Sequence, residues 1–261
     1  MILVKIQDGA DARWGVLENG RVHLLSAPPY GGITRSGEIR DAAGIRMLAP
    51  CDPTSIVAVG KNYADHIAEF DSIVPDSPTI FLKPVTSLNH PDGDIPLPFK
   101  TLSRRIDYEG ELAFVVKRKA RNVQAKDAAG YILGYTCLND VTARDLQRRD
   151  GQWMRAKGFD GFAPVGPVLS DEIDPLDCEI STRLNGKTVQ KSNTGMMLWN
   201  VYELFAFITA FMTLLPGDVV TTGTPEGVGE MVGGDIVEVA VAGIGVLRST
   251  AVCPAELASD T

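Results

Sequence analysis

The chain has few of the side chains that zinc sites and disulfide frameworks require. Its 261 residues include three histidines and four cysteines, and no two cysteines form a Cys-x-x-Cys pair. With so few histidines and cysteines, we expect oxygen atoms to be the ligands of any bound metal ion. The scattered cysteines are expected to be reduced and mostly buried, which predicts a cytoplasmic protein.

An excess of positive charge is also lacking. Asp and Glu total 33 against 25 Lys and Arg, and the net charge of −8 argues against nucleic acid as a partner. A small anionic substrate is still compatible with this charge. A bound cation and a few local bases can reverse the sign of the potential within a cleft.

Long hydrophobic runs are missing as well. The longest helical apolar run, residues 204–215, contains two threonines and is too short to cross a bilayer, so it predicts a buried core helix. The first residues, Met-Ile-Leu-Val-Lys-Ile, alternate like a strand and do not look like a signal peptide. We therefore predict no membrane partner.

What is present is an ordinary globular composition, 44% hydrophobic and 22% charged. Residues 1–25 alternate in strand fashion around an Asn19-Gly20 hairpin turn, and residues 26–50, rich in Gly, Pro and Arg, predict a loop or linker. These features predict a small N-terminal β-domain at 1–50 and a larger domain at 51–255. A second Asn-Gly hairpin is expected at 185–186, and a core helix at 199–215.

Carboxylates gather around the apolar strand 112–116. Strand alternation places Glu109 and Glu111 on one face, and Asp140 ends the apolar segment 131–139. Such a pair needs a shared proton, basic neighbours or a divalent cation, and oxygen ligands favour Mg²⁺ or Ca²⁺ over zinc. Taken alone, the pair is more typical of a solvated Glu-x-Glu on an exposed strand edge, and it is the surrounding sequence that favours a cation site.

Two further segments carry polar residues at helical spacing. After the buried strand 55–60, Asn62 is a candidate cap for a short helix in which His66 and Glu69, three residues apart, would touch. A carboxylate that orients an imidazole prepares a general base. The alternative is an incidental pair on a surface helix.

Residues 142–145 have the form of a capping box, with a helix expected to run to about 150–151. Arg144 and Gln147 would share a face beside Asp140, where a helix start and an arginine suit a carboxylate. The alternative is that the arginines of this helix only solvate it.

Two later stretches are also candidates for ligand contact. Lys157 is isolated among small and apolar residues, which is unusual for a solvent-facing lysine. The glycine-rich loop 223–229 lacks a phosphate-binding ending, but its backbone N–H groups and the Thr224 hydroxyl are available to a ligand.

Six motifs follow one another between about residues 53 and 250. They are Gly60-Lys61-Asn62-Tyr63 with His66 and Glu69, Phe81-Leu82-Lys83-Pro84, Asp107-Tyr108-Glu109-Gly110-Glu111-Leu112, Asn139-Asp140-Val141-Thr142-Ala143-Arg144-Asp145, Lys157-Gly158-Phe159-Asp160 and Thr222-Gly223-Thr224-Pro225-Glu226-Gly227-Val228-Gly229. In this order they resemble the fumarylacetoacetate hydrolase superfamily. The resemblance is specific for the superfamily and much less so for the reaction.

The resemblance implies an α+β fold, mainly β, in which mixed β-sheets roll into a pseudo-barrel next to a small N-terminal β-domain. It implies a homodimer. It also implies that the divalent cation, Mg²⁺ with Mn²⁺ or Ca²⁺ as alternatives, is held by Glu109, Glu111 and Asp140.

The same resemblance implies the roles of the other candidates. Substrate contacts fall on Arg144, Gln147, Lys157 and Thr224, and the pair that activates water on His66 and Glu69. Several relatives carry serine where this chain has Gly158, so the hydroxyl contact made there is not carried over.

These residues suit chemistry on a small anionic 2-oxo acid whose enolate is stabilised by the cation and Lys157. The first prediction is Mg²⁺-dependent hydrolysis of a C–C bond in acylpyruvate-like 2,4-dioxo acids, with His66 as the base that activates water. The alternatives are an isomerase or decarboxylase of hydroxymuconate-type dicarboxylates from aromatic breakdown, such as 2-hydroxyhepta-2,4-diene-1,7-dioate, and an oxaloacetate decarboxylase. A non-catalytic metal-binding protein would require neither His66 and Glu69 nor Lys157.

Overall fold

The computed structural model describes residues 1–69, 73–98 and 100–253, and strands dominate this part of the chain. The strands are β1 (Ile2–Asp8), β2 (Asp11–Glu18), β3 (Arg21–Leu25), β4 (Arg35–Asp41), β5 (Met47–Leu48), β6 (Ile56–Gly60), β7 (Thr79–Lys83), β8 (Leu88–Asn89), β9 (Asp94–Pro96), β10 (Ile106–Tyr108), β11 (Gly110–Val116), β12 (Ile132–Asn139), β13 (Thr142–Ala143), β14 (Ala163–Ser170), β15 (Glu179–Leu184), β16 (Lys187–Asn193), β17 (Val219–Thr221), β18 (Gly229–Glu230), β19 (Ile236–Val241) and β20 (Gly245–Val252). The α-helices are α1 (Ala64–Glu69), α2 (Arg144–Arg149), α3 (Met154–Lys157) and α4 (Val201–Phe211). The last residues of the predicted larger domain, 254 and 255, lie outside the described residues, as do 70–72 and 99.

The main sheet follows the order β4-β3-β2-β1-β14-β12-β11-β17-β6-β7, with β5 beside β1 and β8 beside β14. Most neighbours are antiparallel, but β6 runs parallel to β17, so the sheet is mixed. Two smaller sheets have the orders β13-β10-β18 and β16-β15-β19-β20-β9. The predicted α+β, mainly β class with mixed sheets is confirmed, and the sheets formed by the described strands stay open rather than closing into a barrel.

The N-terminal strands continue the main sheet. Leu3 in β1 lies opposite Leu169 in β14, and Trp14 belongs to the same buried cluster as Val115 of β11. The prediction of a loop at 26–50 is wrong in part, because this segment contains β4 and β5. Their backbone hydrogen bonds to β3 and β1 outweigh the loop-like composition.

Both Asn-Gly hairpins are confirmed. Asn19 and Gly20 have φ of 50° and 75°, and Asn185 and Gly186 have φ of 51° and 79°. These left-handed values are typical of the two-residue turns that match the twist of paired strands. The turns join β2 to β3 and β15 to β16.

The core helix is shorter than the predicted 199–215. Its amino end is a capping box in which the Asn200 side chain accepts from the backbone of Glu203 and the Glu203 carboxylate accepts from Asn200 N–H. It ends at Phe211, which is exposed, so one face of α4 is not buried. No helix in the described part of the chain is long and apolar enough to cross a membrane.

The predicted cap residues of the two short helices do not cap them. The Thr142 hydroxyl donates to Asp140 O, because Thr142 is paired in β13, and α2 begins without a side-chain cap. Asp145 instead accepts hydrogen bonds from Ser103 and from Arg104 N–H. Asn62 bridges two distant backbone segments, near Trp199 and Thr222, rather than starting α1.

Candidate active site

Three carboxylates converge where β10, β11 and β12 meet. Glu109 lies between β10 and β11, Glu111 lies in β11, and Asp140 follows β12. Because Gly110 pairs with Asn139, the ends of β11 and β12 carry the three acids to one point. Ligand oxygens from all three lie within 4.8 Å of one another, and each residue is buried.

The backbone around the cluster is held on both sides. Glu109 N–H donates to Asn139 Oδ1 at 2.9 Å, and Asp140 N–H donates to Glu109 O at 2.8 Å. A Cβ on Gly110 would come within 2.0 Å of Thr182 Oγ1, so the close backbone approach expected at this glycine is present. Glu109 lies at the junction between β10 of one sheet and β11 of another, two residues before Glu111 in β11.

Two buried lysines contact the cluster. Lys157 Nζ donates to Glu109 Oε2 at 2.7 Å and to Asp140 Oδ2 at 2.6 Å. Lys83 Nζ donates to Asp140 Oδ1 and to Lys157 O, both at 2.6 Å. Lys83 therefore fixes both the carboxylate of Asp140 and the backbone that carries Lys157.

Arg144 closes the other side of the cluster. Its Nε donates to Asp107 Oδ2 at 2.8 Å, and its two terminal nitrogens donate to Gln147 and Glu109. Arg144 is 3% exposed. The alternative of a solvated arginine face is therefore wrong for Arg144.

The last residue of β17 and the loop after it support Glu111. Glu111 Oε2 accepts from the Thr221 hydroxyl and from Gly223 N–H, the latter at 2.8 Å. The Thr224 hydroxyl lines the cavity but already donates to Gly110 O at 2.9 Å. Two of the N–H groups in the glycine-rich loop thus bind carboxylates of the protein itself, at Glu111 here and at Glu69 through Gly227.

His66 and Glu69 touch as their spacing predicts. His66 Nδ1 lies 3.1 Å from Glu69 Oε2 within α1, and Gly227 N–H donates to Glu69 at 3.3 Å. Burial lowers the pKa of the His66 imidazole below its usual value, against the opposing charge of Glu109. At neutral pH the imidazole is therefore mainly uncharged and able to accept a proton.

The surroundings of Glu109 and Glu111 shift the pKa values of the two carboxyl groups in opposite directions. Burial raises the pKa of Glu111 well above its usual value, and the charges of Asp140 and Glu109 raise it further. Burial acts in the same direction on Glu109, but Lys157 and Arg144 hold the pKa of that carboxyl below its usual value. Burial likewise disfavours charged Lys157, yet Asp140 and Glu109 raise its pKa, so it remains an ammonium group.

The cluster forms the floor of a cavity of about 280 Å³. Among the predicted site residues, those that line it are His66, Glu109, Glu111, Arg144, Gln147, Lys157 and Thr224. Asp140 lies beneath them, in contact with Lys157, and Glu69 lies behind His66. Basic and acidic candidates from distant parts of the chain thus share one site.

Two residues of the site were missed by sequence reasoning. Lys83 had only the signal of a lysine that ends an apolar strand before a proline, and Asp107 only its place in the Asp-Tyr-Glu-Gly-Glu run. Both are buried and hold a predicted site residue, Asp140 and Arg144 respectively. At Gly158, a Cβ would come within 2.6 Å of Met154 O, so a side chain there requires the backbone to shift.

The donor set fits a hard divalent cation. The three acids are buried and supply only oxygen atoms, and their mutual distances allow one ion to contact all of them. Three basic side chains, Lys157, Lys83 and Arg144, already contact Glu109 or Asp140, but they leave Glu111 next to these two other acids. Glu109, Glu111 and Asp140 are the residues that would hold the ion.

Comparison with known proteins identifies the class that this fold and site define. The model of the fumarylacetoacetate (FAA) hydrolase C-terminal family matches residues 55–252, and the Rv2993c-like N-terminal family matches residues 1–50. The chain belongs to the fumarylacetoacetate hydrolase family.

Relatives with stated activities are similar over most of the chain. Oxaloacetate tautomerase Fahd2a, mitochondrial, of Rattus norvegicus is 44% identical over 190 residues, which are 71% of this chain and 60% of that protein. The structure of 5-carboxymethyl-2-hydroxymuconate delta-isomerase from Mycobacterium smegmatis has a TM-score of 0.91 and 42% identity, covering 97% of this chain and 100% of that one. That of 2-hydroxyhepta-2,4-diene-1,7-dioate isomerase from Mycobacterium marinum has a TM-score of 0.90 and 39% identity, covering 98% and 99%.

The guanidinium of Arg144 gives a first testable prediction. Arg144→Lys keeps the charge but cannot hold Asp107, Glu109 and Gln147 together, so kcat/KM should fall by roughly tenfold or more. The value of kcat/KM is measured at saturating Mg²⁺. A change in cation affinity that acts through Glu109 then does not contribute to the fall. Arg149→Lys on the same helix is the control, and equal kinetics for the two variants would contradict a substrate role for Arg144.

Proposed function

We propose that this protein is a divalent-cation-dependent isomerase that interconverts the enol and keto forms of a 2-oxo acid. The observation that carries the proposal is the buried cluster of Glu109, Glu111 and Asp140 with the Lys157 ammonium in contact with it. A cation bound there would act as a Lewis acid on the oxygens of the substrate. Oxaloacetate and 2-hydroxyhepta-2,4-diene-1,7-dioate, named for the relatives, are the first substrates to test.

The protein's own residues supply the remaining steps. Arg144 and Gln147 bind the carboxylate next to the 2-oxygen, and the Lys157 ammonium donates hydrogen bonds to the charge that develops on that oxygen. In ketonisation a proton leaves the 2-hydroxyl group and one is added at carbon 3, or at carbon 5 of a conjugated dienol. No atom is gained or lost, and neither cleavage nor attacking water is needed.

Hydrolysis of an acylpyruvate is the second candidate function. It is favoured by the contact between His66 and Glu69, since a mainly uncharged imidazole held by a carboxylate is arranged to take a proton from water. The names of the relatives in the comparison support isomerisation or tautomerisation more directly than hydrolysis. We therefore place hydrolysis second.

A substrate panel separates these functions. With Mg²⁺, the protein should accelerate the loss of the enol absorbance of oxaloacetate or of 2-hydroxyhepta-2,4-diene-1,7-dioate. Product analysis should then find only the isomeric acid and no cleavage product. An acylpyruvate is incubated in parallel, and chelated protein is the control. Cleavage of the acylpyruvate without isomerisation of either diacid would favour hydrolysis, and full activity after thorough chelation would contradict a cation-dependent reaction.

A further inference from the structure

Two cations line the cavity without a carboxylate partner among the described residues. Lys61 and Arg148 both contribute to its wall. The neighbouring arginines of the same region differ, because Arg149 and Arg155 both pair with Asp150. Within the described residues, no carboxylate oxygen lies within 4.0 Å of the charged nitrogens of Lys61 or Arg148.

Arg148 lies one helical turn from the floor of the cavity. It follows Arg144 by four residues on α2, a rise of about 6 Å along the helix axis. Arg144 is buried against Glu109, whereas Arg148 is exposed. Both guanidinium groups therefore line one cavity, with Arg144 at its buried end and Arg148 at its exposed end.

Two aromatic side chains, Phe81 and Trp153, connect Lys157 with the backbone that carries Lys61. The Lys157 ammonium is 5.1 Å from the centre of the Phe81 ring, and Phe81 packs edge to face on Trp153 at 5.3 Å. A Cβ on Gly60 would come within 2.5 Å of the Trp153 ring, so the backbone before Lys61 rests directly on it. Contacts thus run from the floor at Lys157 to the backbone that carries Lys61.

The backbone of Lys61 is itself unusual. Its φ of 58° lies in the left-handed region, which is costly for a residue with a side chain. Such a conformation persists where the surroundings fix it, and here Gly60 is packed on Trp153 while Asn62 is held by three hydrogen bonds. The strained residue presents a lysine to the cavity, which points to a functional reason for the side chain.

We propose that Lys61 and Arg148 bind a second carboxylate of the substrate, so that the site takes 2-oxo dicarboxylic acids. The inference rests on the proposed function, which places the 2-oxo acid end of the substrate on the floor beside Arg144 and Lys157. A monocarboxylic substrate would leave both outer cations in water. A dicarboxylic one would form charge-assisted hydrogen bonds with them.

The size of this selectivity follows from exposure. Arg148 is exposed and Lys61 is half-buried, so solvent and salt screen both charges. Each cation should therefore contribute roughly a threefold to fivefold preference, and the preference should weaken as ionic strength rises.

Calorimetry on the full chain at saturating Mg²⁺ tests the inference with acids of matched length. The pairs are 2-oxoglutarate with 2-oxopentanoate, and 2-oxoadipate with 2-oxohexanoate. We expect the diacid of at least one pair to bind roughly tenfold more tightly than its monoacid. Lys61→Met and Arg148→Gln should each remove most of that difference without weakening the monoacid, whereas Arg149→Gln, which removes a charge outside the cavity, should preserve it.

The outcomes separate this inference from the proposed function. If the monoacids and diacids bind equally and neither variant alters the ratio, the second carboxylate site is wrong while the 2-oxo acid site stands. If no acid binds in the presence of Mg²⁺, the proposed function itself fails. Loss of monoacid binding in both variants would also contradict the inference, because it would place Lys61 and Arg148 at the 2-oxo end.

Discussion

Glu111→Gln should abolish Mg²⁺ binding and reduce turnover by on the order of 10³-fold. The variant loses one of three oxygen anions, and a Lewis-acid cation contributes several kcal/mol to charge stabilisation, at about 1.4 kcal/mol per factor of ten in rate. Glutamine keeps an oxygen that can accept from Thr221 and Gly223, so the fold should persist. Mg²⁺ titration by calorimetry and initial rates measure the two effects.

The same substitution should stabilise the chelated protein. Because the pKa of Glu111 is raised in the folded state, the folded protein holds a proton there that the unfolded chain has lost. Stability of the chelated wild type therefore falls as pH rises from the ordinary glutamate pKa towards the raised one, and the glutamine variant should not show this loss. Melting temperatures from pH 5 to 8 in chelator test this, with exposed Glu230→Gln as the control. Normal Mg²⁺ affinity in Glu111→Gln would remove Glu111 from the cation site.

His66→Ala should separate the two candidate functions. If His66 activates water, C–C cleavage of an acylpyruvate should fall by roughly 10²–10⁴-fold, the usual range for a general base. Glu69→Gln should act in the same direction, because the imidazole would lose its orienting charge. An isomerase that works through the cation and Lys157 should keep most of its turnover.

Both reactions are measured in one His66→Ala preparation, cleavage by product formation and enolisation by exchange of the protons on carbon 3 with deuterium. Exchange should persist with Mg²⁺. Where wild type cleaves, the activity should rise with pH through a value below the usual histidine pKa, since burial lowers it and the neutral imidazole is the base. Cleavage at the wild-type rate in the variant would exclude the hydrolytic role of His66.

Local spacing predicted the contact pairs well, because helix and strand geometry fix near neighbours. His66 and Glu69 touch at three residues apart, and Asn185-Gly186 forms its hairpin. The convergence of Glu109 with Asp140 depends on the pairing of β11 with β12, which local spacing does not determine. The ordered motifs, through the family resemblance, supplied that long-range information.

Predictions from local spacing failed where a polar side chain forms its hydrogen bonds with a distant part of the chain instead of with near neighbours. The capping box at 142–145 is absent because Thr142 pairs in β13 and its hydroxyl turns to Asp140 O. Asn62 does not cap α1, because its side chain donates hydrogen bonds to the backbone of Trp199 and Thr222, more than 130 residues further along the chain. Lys83 was overlooked because no local pattern reveals that a lysine will reach Asp140. The homodimer and the exclusion of nucleic acid stay predictions.

The pairing of β1 with β14 has a consequence for dividing the chain. The two family models meet between residues 50 and 55, which invites expression of the catalytic part alone. Such a fragment would leave the backbone of β14 around Leu169 as an open edge and would uncover the apolar cluster that Trp14 helps to fill. Open edges beside apolar surface pair with other chains. We therefore expect such a fragment to self-associate. It would still contain the candidate catalytic groups, because none of them lies in the removed segment.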